Sequence, residues 1–334
     1  MYKDRRSLYE KIEQSRKSKV ITYVTGDRRG LEAQIHREVL DFFAQHFDKI
    51  GIVNKVTLIL YTNGGDTIAA WSIANLIRQF SKRTFEVIVP RKAHSAGTLI
   101  CLGANSIRMT KQATLSPIDP SISTPFNPKA EKVGSEIRYP VSVEDINGFV
   151  DLAKEELKIN SEEHLANVLA VLANKVDPLV LGRAYRTRKQ IRMLGEKLLG
   201  KHEDDQTKIK DIIDFLCSKS GSHDYTINRR EARELGLKAP TISQKEYELY
   251  KTIYDDFAGE LELVNPYDPE VILGAESSQN YEFKQAIIES IGGGSHSFVR
   301  KGVLSRQKIQ IQQGVVRNAI HDQITYNGWS HEQA

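Results

Sequence analysis

The chain is predicted to be an α/β protein built on a mainly parallel sheet. Two nearly unbroken apolar runs, 56–62 (VTLILYT) and 85–89 (FEVIV), have the composition of strands buried on both faces of such a sheet. Between them, 67–80 carries Ile68, Trp71, Ile73, Ala74 and Ile77 on one helical stripe, which makes the three segments a βαβ crossover. The pattern then recurs, with a turn at 91–94, an apolar helix at 95–104 and a short strand at 106–109.

The remaining elements follow in order. Residues 2–19 read as a polar helix, and 20–25 (VITYVT) is rich in β-branched and aromatic residues and forms the first strand. A helix is expected at 32–47. The segment 117–128 (PIDPSISTPFNP) holds four of the ten prolines and must be an irregular, extended loop. Residues 142–200 read as two or three long, charged helices, with a basic run at 183–192 (RAYRTRKQIR) expected to be the solvated face of one of them. A linker at 201–206, a helix at 211–217, a short strand at 224–227 and a helix at 231–237 closed by Gly236 come next. The character changes beyond Pro240. The predicted organisation is therefore an N-terminal helix at 1–18, a core domain at 19–240 with a helical insertion at 142–200, and an accessory C-terminal α+β region at 241–334.

Composition narrows the function classes. With 334 residues, 40% hydrophobic and 27% charged, the chain can bury one large core or two ordinary ones without staples. Cys101 and Cys217 stand far apart in apolar contexts and build neither a disulfide framework nor a zinc ribbon. The histidines show no ligand spacing, so no metal site and no cofactor is expected. The net charge of +4, from 47 basic and 43 acidic residues, gives no reason to expect nucleic acid as a partner. The charged N-terminus lacks the apolar centre of a secretory signal and no window reaches the length of a membrane span, so a cytoplasmic location is expected.

The most informative segment is 93–104 (AHSAGTLICLGA). Ser95 lies between a buried strand and a helix that starts with small residues. Its hydroxyl is thereby placed at a helix N-terminus, where free N–H groups favour a developing anion. A serine there can be a nucleophile, or can do no more than cap the helix. The second segment is Asn63-Gly64-Gly65, at the carboxyl end of the preceding parallel strand. Its glycines let a main-chain N–H approach a substrate carbonyl, as an oxyanion hole requires. Gly292-Gly293-Gly294-Ser295 has no Gly-Lys-Ser/Thr continuation and reads as a turn, not a phosphate loop.

Three stretches, TNGGDTIAAWSIANLI (62–77), AHSAGTLICLGANSIRM (93–109) and DYTINRREARELGL (224–237), together resemble the superfamily of the Clp proteolytic subunit, signal peptide peptidase A and the crotonases. The serine dehydrogenase proteinase (SDH) family of Clp-fold serine proteases is the more particular resemblance, through TLSPIDPSI (114–122) and SHDYTI (222–227) as well. It implies a Clp/crotonase-type core of repeated β-β-α units and a serine peptidase or amidase acting on peptide or protein substrates. Carried across residue by residue, it implies an oxyanion hole at Gly64, Gly65 and Ala96. The catalytic triad so implied, in the order Ser, Asp, His, is Ser95, Asp119 and His223, with Asp119 where Clp proteases have their histidine and Asp224 where they have their aspartate.

Neighbouring residues on a strand face opposite ways, so only one of His223 and Asp224 can look into the site. A serine nucleophile needs a base with a near-neutral pKa, which favours His223. Signal peptide peptidases use a Ser/Lys dyad instead, and Lys129 and Lys132 lie at a workable spacing in a charged, Pro-rich loop. A binding or scaffold protein that has lost hydrolysis, and a crotonase-like acyl-thioester enzyme, are the readings from other classes, and Ser95 argues against the latter. Beside the basic run, Leu165, Val168, Leu169, Val171 and Leu172 form an apolar stripe that an isolated helical arm could not leave exposed. Together with the resemblance, this stripe predicts a closed homo-oligomer, a trimer, a hexamer or a larger ring.

Overall fold

The computed structural model describes residues 2–119, 121–129, 137–219, 224–312 and 315–332. The chain divides into two compact units, Met1–Leu115 with Ile227–Ala334, and Ser116–Thr226.

The first unit contains α1 (Tyr2–Arg16), β1 (Lys19–Thr25), α2 (Val39–Ile50), β2 (Val53–Tyr61), α3 (Thr67–Phe80), β3 (Ser81–Val89), β4 (Lys92–Ala93), α4 (Ala96–Leu102), β5 (Ser106–Met109) and β6 (Thr114–Leu115). Its parallel strands stand in the order β1-β2-β3-β5, with Ile21 beside Leu58, Leu58 beside Val87 and Val87 beside Ile107. The crossover predicted for 67–80 is α3, capped by the Asp66 side chain, which accepts from the N–H groups of Ile68 and Ala69. One departure concerns 32–47, where the helix begins only at Val39. Residue Ile35 instead forms a parallel bridge with Gly65, and that pairing holds the preceding segment out of helical geometry.

The second unit is made of the β7–β8 pair (Ser121–Ile122 and Val141–Ser142), α5 (Val143–Asp151), α6 (Glu162–Ala173), α7 (Pro178–Leu199) and α8 (Gln206–Asp214), with π-helical turns at Leu152–Glu156 and Phe215–Lys219. One cluster of its core has Ile122, Val143, Val180 and Ala184 at the centre, and α7 and α8 bury Ile191, Leu194, Leu198, Ile209, Ile212 and Ile213 besides. The basic run lies on α7, where Arg192 is paired with Asp214 and Arg188 donates to Ser218 Oγ at 2.9 Å.

The chain returns to the first unit with β9 (Ile227–Asn228), α9 (Arg229–Glu234), α10 (Gln244–Glu260), α11 (Pro269–Leu273), β10 (Ser278–Ser290), β11 (Gly294–Gln312) and β12 (Val315–Glu332). Residues 241–334, set apart by their sequence character, thus continue the main sheet. It has seven strands in the order β12-β11-β10-β1-β2-β3-β5, and β10 joins β1 antiparallel with Ile21 opposite Ser290. Gly292 and Gly293 lie in the β10–β11 turn.

One face of this sheet is covered by α1 and α10, which pack Tyr9, Ile12, Tyr250, Ile253 and Phe257 onto Val20, Val24, Ile59 and Ile88. The other is covered by α2 and α3. There Phe43 meets Tyr23 edge-on at 5.4 Å and Phe47 stacks on Phe80 at 4.8 Å. Burial on both faces explains why β2 and β3 read as unbroken apolar runs.

Candidate active site

Two connections meet at the carboxyl ends of β2 and β3. The first is Thr62-Asn63-Gly64-Gly65-Asp66, leading into α3. The second runs through β4 and Ser95 into α4. They are joined by their backbones, since Thr62 N–H donates to Lys92 O at 3.2 Å and His94 N–H donates to Thr62 O at 3.1 Å.

Ser95 adopts φ 49° and ψ −113°, a left-handed conformation rare for any residue with a Cβ. Gly97 N–H donates to His94 O at 2.7 Å, closing a turn that has Ser95 at its first central position with type II′ angles. The serine side chain makes no capping bond to α4 and is nearly buried, at 9% exposure. Its conformation therefore lacks the reward that an N-cap would give. Such a turn at a strand–helix junction is how a serine hydroxyl is presented at the edge of a parallel sheet.

The Gly-Gly turn lies directly against it. A Cβ placed on Gly64 would fall 2.8 Å from Ser95 Cβ and 3.0 Å from His94 O, and one on Gly65 would fall 2.4 Å from Ile35 O. Both glycines have positive φ, 114° and 141°, so the sequence has no alternative residue for either position. Gly64 N–H is taken by Thr62 Oγ1 at 2.9 Å, which removes it from the three expected oxyanion donors. The N–H groups of Gly65 and Ala96 donate to no described residue.

The other expected site residues lie in the second unit or outside the described residues. Asp119 is 8% exposed and its Oδ2 accepts from the Ser142 hydroxyl at 3.0 Å. Nearby, burial and then the Asp119 charge, opposed by Arg188, hold the Glu144 carboxyl above the usual range. Asp224 is exposed and sits in a turn. The strand expected at 224–227 begins only at Ile227, so strand alternation cannot decide between His223 and Asp224. His223 lies outside the described residues, as does Lys132. Lys129 is exposed and bridges to Arg138. His94, next to the serine, bonds through Nε2 to Thr114 Oγ1 at 2.8 Å.

Sequence reasoning missed Thr62 and Ile35, which hold the Gly-Gly turn. A threonine ending an apolar strand gives no signal by itself, and Ile35 was hidden in an apparent helix. Cys101 and Cys217 are both buried and free, and burial pushes the Cys217 thiol up to about 12. Among the described residues no group of three or more His, Cys, Asp or Glu could hold a metal ion. Among them, too, no single helix is long and apolar enough to cross a membrane, although α6 and α7 meet that criterion as a pair bent by 108°.

A serine in a strained turn facing a Gly-Gly turn, on a parallel α/β sheet, is the class of arrangement found in serine hydrolases. Residues 49–177 match the model of the ClpP-like SDH-type serine proteinases, so this segment is similar to that family. Two uncharacterized proteins of Methanocaldococcus jannaschii are 30% and 29% identical to the chain over 200 and 203 residues, or 59% and 58% of this chain. These alignments cover 58% and 55% of the two relatives, so the chain spans little more than half of their length. Among solved structures, a serine-to-alanine variant of a membrane-bound stomatin-specific protease is 17% identical with a TM-score of 0.38, over 69% of this chain and 83% of that one. ClpP1 from Listeria monocytogenes is 15% identical with a TM-score of 0.34, over 72% of this chain and 99% of that one.

Proposed function

We propose that the chain is a serine peptidase or amidase that cleaves its peptide or protein substrate through an acyl-enzyme on Ser95. In this reading Ser95 Oγ attacks the scissile carbonyl while His223 takes its proton and Asp119 orients the imidazole. The carbonyl oxygen becomes an oxyanion held by the N–H groups of Gly65 and Ala96. Collapse of the tetrahedral intermediate breaks the C–N bond, and the proton passes from His223 to the leaving amine. Water, deprotonated by the same histidine, then releases the acyl group and restores Ser95.

The observation that carries the reading is the conformation of Ser95. Holding a non-glycine residue at φ 49° and ψ −113° costs about 1–3 kcal/mol, and no capping bond offsets it. A binding scaffold has no use for that strain, whereas a nucleophile does. The test is labelling with a fluorophosphonate probe. Covalent capture of the wild-type chain, abolished by Ser95→Ala and by His223→Ala and largely kept in Asp224→Asn, is expected. Label that persists in Ser95→Ala refutes the assignment, and loss of label in Lys129→Ala or Lys132→Ala in place of His223→Ala favours a Ser/Lys dyad.

The same proposal includes self-association. Helix α6 is apolar over most of its length yet buries no residue, and Leu169 and Val171 are 56% and 58% exposed. A helix apolar on all sides is normally a buried one, so a second copy of the chain is the partner proposed for it. Leu169→Glu combined with Val171→Glu is expected to reduce the mass measured by light scattering to that of a monomer. An oligomer unaffected by this pair of changes excludes α6 from the contact.

A further inference from the structure

We propose that Thr62 is a positioning residue for this site, its hydroxyl fixing the direction of the Gly65 N–H relative to Ser95. The inference rests on the reading of Ser95 as nucleophile and Gly65 as an oxyanion donor, and adds the device that aims the donor.

Thr62 is fully buried and touches both turns at once. Its main chain joins them through Lys92 O and His94 N–H. Its Oγ1 accepts from Gly64 N–H at 2.9 Å and from the Thr25 hydroxyl at 2.6 Å, which leaves its own proton directed to Gly64 O at 3.4 Å. The Gly64 carbonyl also accepts from Ile35 N–H at 2.8 Å. A trans peptide is planar, so anchoring the Gly64 carbonyl on one side fixes where the Gly65 N–H points on the other. The methyl of Thr62 is the wall on the far side, since a Cβ on Gly97 would fall 2.4 Å from Thr62 Cγ2 and the first turn of α4 rests against it.

Each alternative residue loses one of these functions. Valine keeps the wall but leaves Gly64 N–H and the Thr25 hydroxyl without their acceptor. Serine keeps the acceptor and gives up the wall. With the Thr62 bonds gone the Gly64 carbonyl keeps only its bond from Ile35 N–H, so the aim of the Gly65 N–H would loosen while the serine turn stayed in place, and the defect should appear in the chemical step and not in probe binding.

The experiment measures fluorophosphonate labelling as kinact and KI for the full chain. Thr62→Val is expected to lower kinact about 10- to 100-fold, below the loss of a whole oxyanion donor, with KI within about twofold of wild type. Thr62→Ser is expected to recover most of the rate. Thr57→Val is the control for a merely structural role. Thr57 lies on β2, the strand that ends just before Thr62, is fully buried and donates to Ser18 Oγ at 2.8 Å, so its loss should lower the melting temperature without changing kinact. Should Thr62→Val fail to fold, Thr25→Val removes one bond to the same oxygen, and a severalfold loss of kinact is expected of it.

Wild-type kinact in a folded Thr62→Val or Thr25→Val, or an equal loss in Thr57→Val, overturns the proposal. If label is lost in Ser95→Ala but unchanged in Thr62→Val, this inference alone fails. If label survives Ser95→Ala, the nucleophile reading fails and takes this inference with it.

Discussion

The strain at Ser95 can be measured by comparing Ser95→Ala with Ser95→Gly. Both remove the hydroxyl and both should abolish labelling, so they differ only in the backbone and one methyl group. At an ordinary buried position, alanine to glycine costs about 0.5–1 kcal/mol of backbone entropy and about 0.8 kcal/mol of lost burial. At φ 49° and ψ −113° the alanine carries about 1–3 kcal/mol of strain that glycine does not. The two contributions nearly cancel, with glycine favoured by about 0.5 kcal/mol at the midpoint of these ranges. Ala74→Gly supplies the ordinary cost, because Ala74 is fully buried in the middle of α3, and there a loss of about 1.5–2 kcal/mol is expected. The assay is urea unfolding at equilibrium, with equal slopes required before midpoints are compared. If Ser95→Gly is less stable than Ser95→Ala by as much as Ala74→Gly is below wild type, Ser95 is unstrained and the main support for its nucleophilic role is gone.

Three further outcomes follow from other parts of the molecule. Gly65→Ala, whose Cβ would lie 2.4 Å from Ile35 O and 2.5 Å from Ile35 N, is expected to lose at least about 3 kcal/mol in unfolding experiments and to abolish labelling; a stable, labelled variant would show that the turn is not where it is described. Arg5 is fully buried and faces three carboxylates, Glu289 through Nε at 3.0 Å and a terminal nitrogen at 2.6 Å, Glu260 at 2.6 Å and Asp256, so Glu289→Gln, which removes the one charge of the three that is itself fully buried, is expected to cost about 1.5–3 kcal/mol; a change below about 0.5 kcal/mol refutes that reading. His46, bonded to Ser290 and His296, is held down to about 3 by burial and then by the neighbouring histidines, and His296 is held to about 4 for the same reasons. Because both pKa values lie below the unfolded value near 6.5, their contribution is complete above pH 6.5 and is lost as pH falls towards 4 and then 3. The slope is at most about 2.7 kcal/mol per pH unit for two protons, and denaturant midpoints that stay flat from pH 7 to pH 4 would contradict it.

How much of this was legible in the sequence depended on whether a feature is local. The parallel core was legible because β2 and β3 are buried on both faces, which leaves an unbroken apolar run in each, and α3 was found to the residue because a helical stripe is a near-neighbour pattern. Ser95 and the Gly-Gly turn were visible for the same reason. Each is a short string whose residue types follow from backbone geometry at one place.

What the tertiary structure decided was everything held by partners distant in sequence. Ile35 was read as helical because its local composition allows it, and only its bridge to Gly65 makes it extended. The C-terminal strands were legible as α+β structure but not as neighbours of β1, since antiparallel pairing of Ile21 with Ser290 leaves no mark in either segment alone. The helix readings of 142–200 identified the elements, while the absence of any buried residue on α6 could be known only from packing. The positive φ of Ser95 belongs here too. A sequence names the residue at a turn, but the conformation of that residue is set by the hydrogen bonds of Thr62, His94 and Gly97, which come together only when β2 and β3 lie side by side.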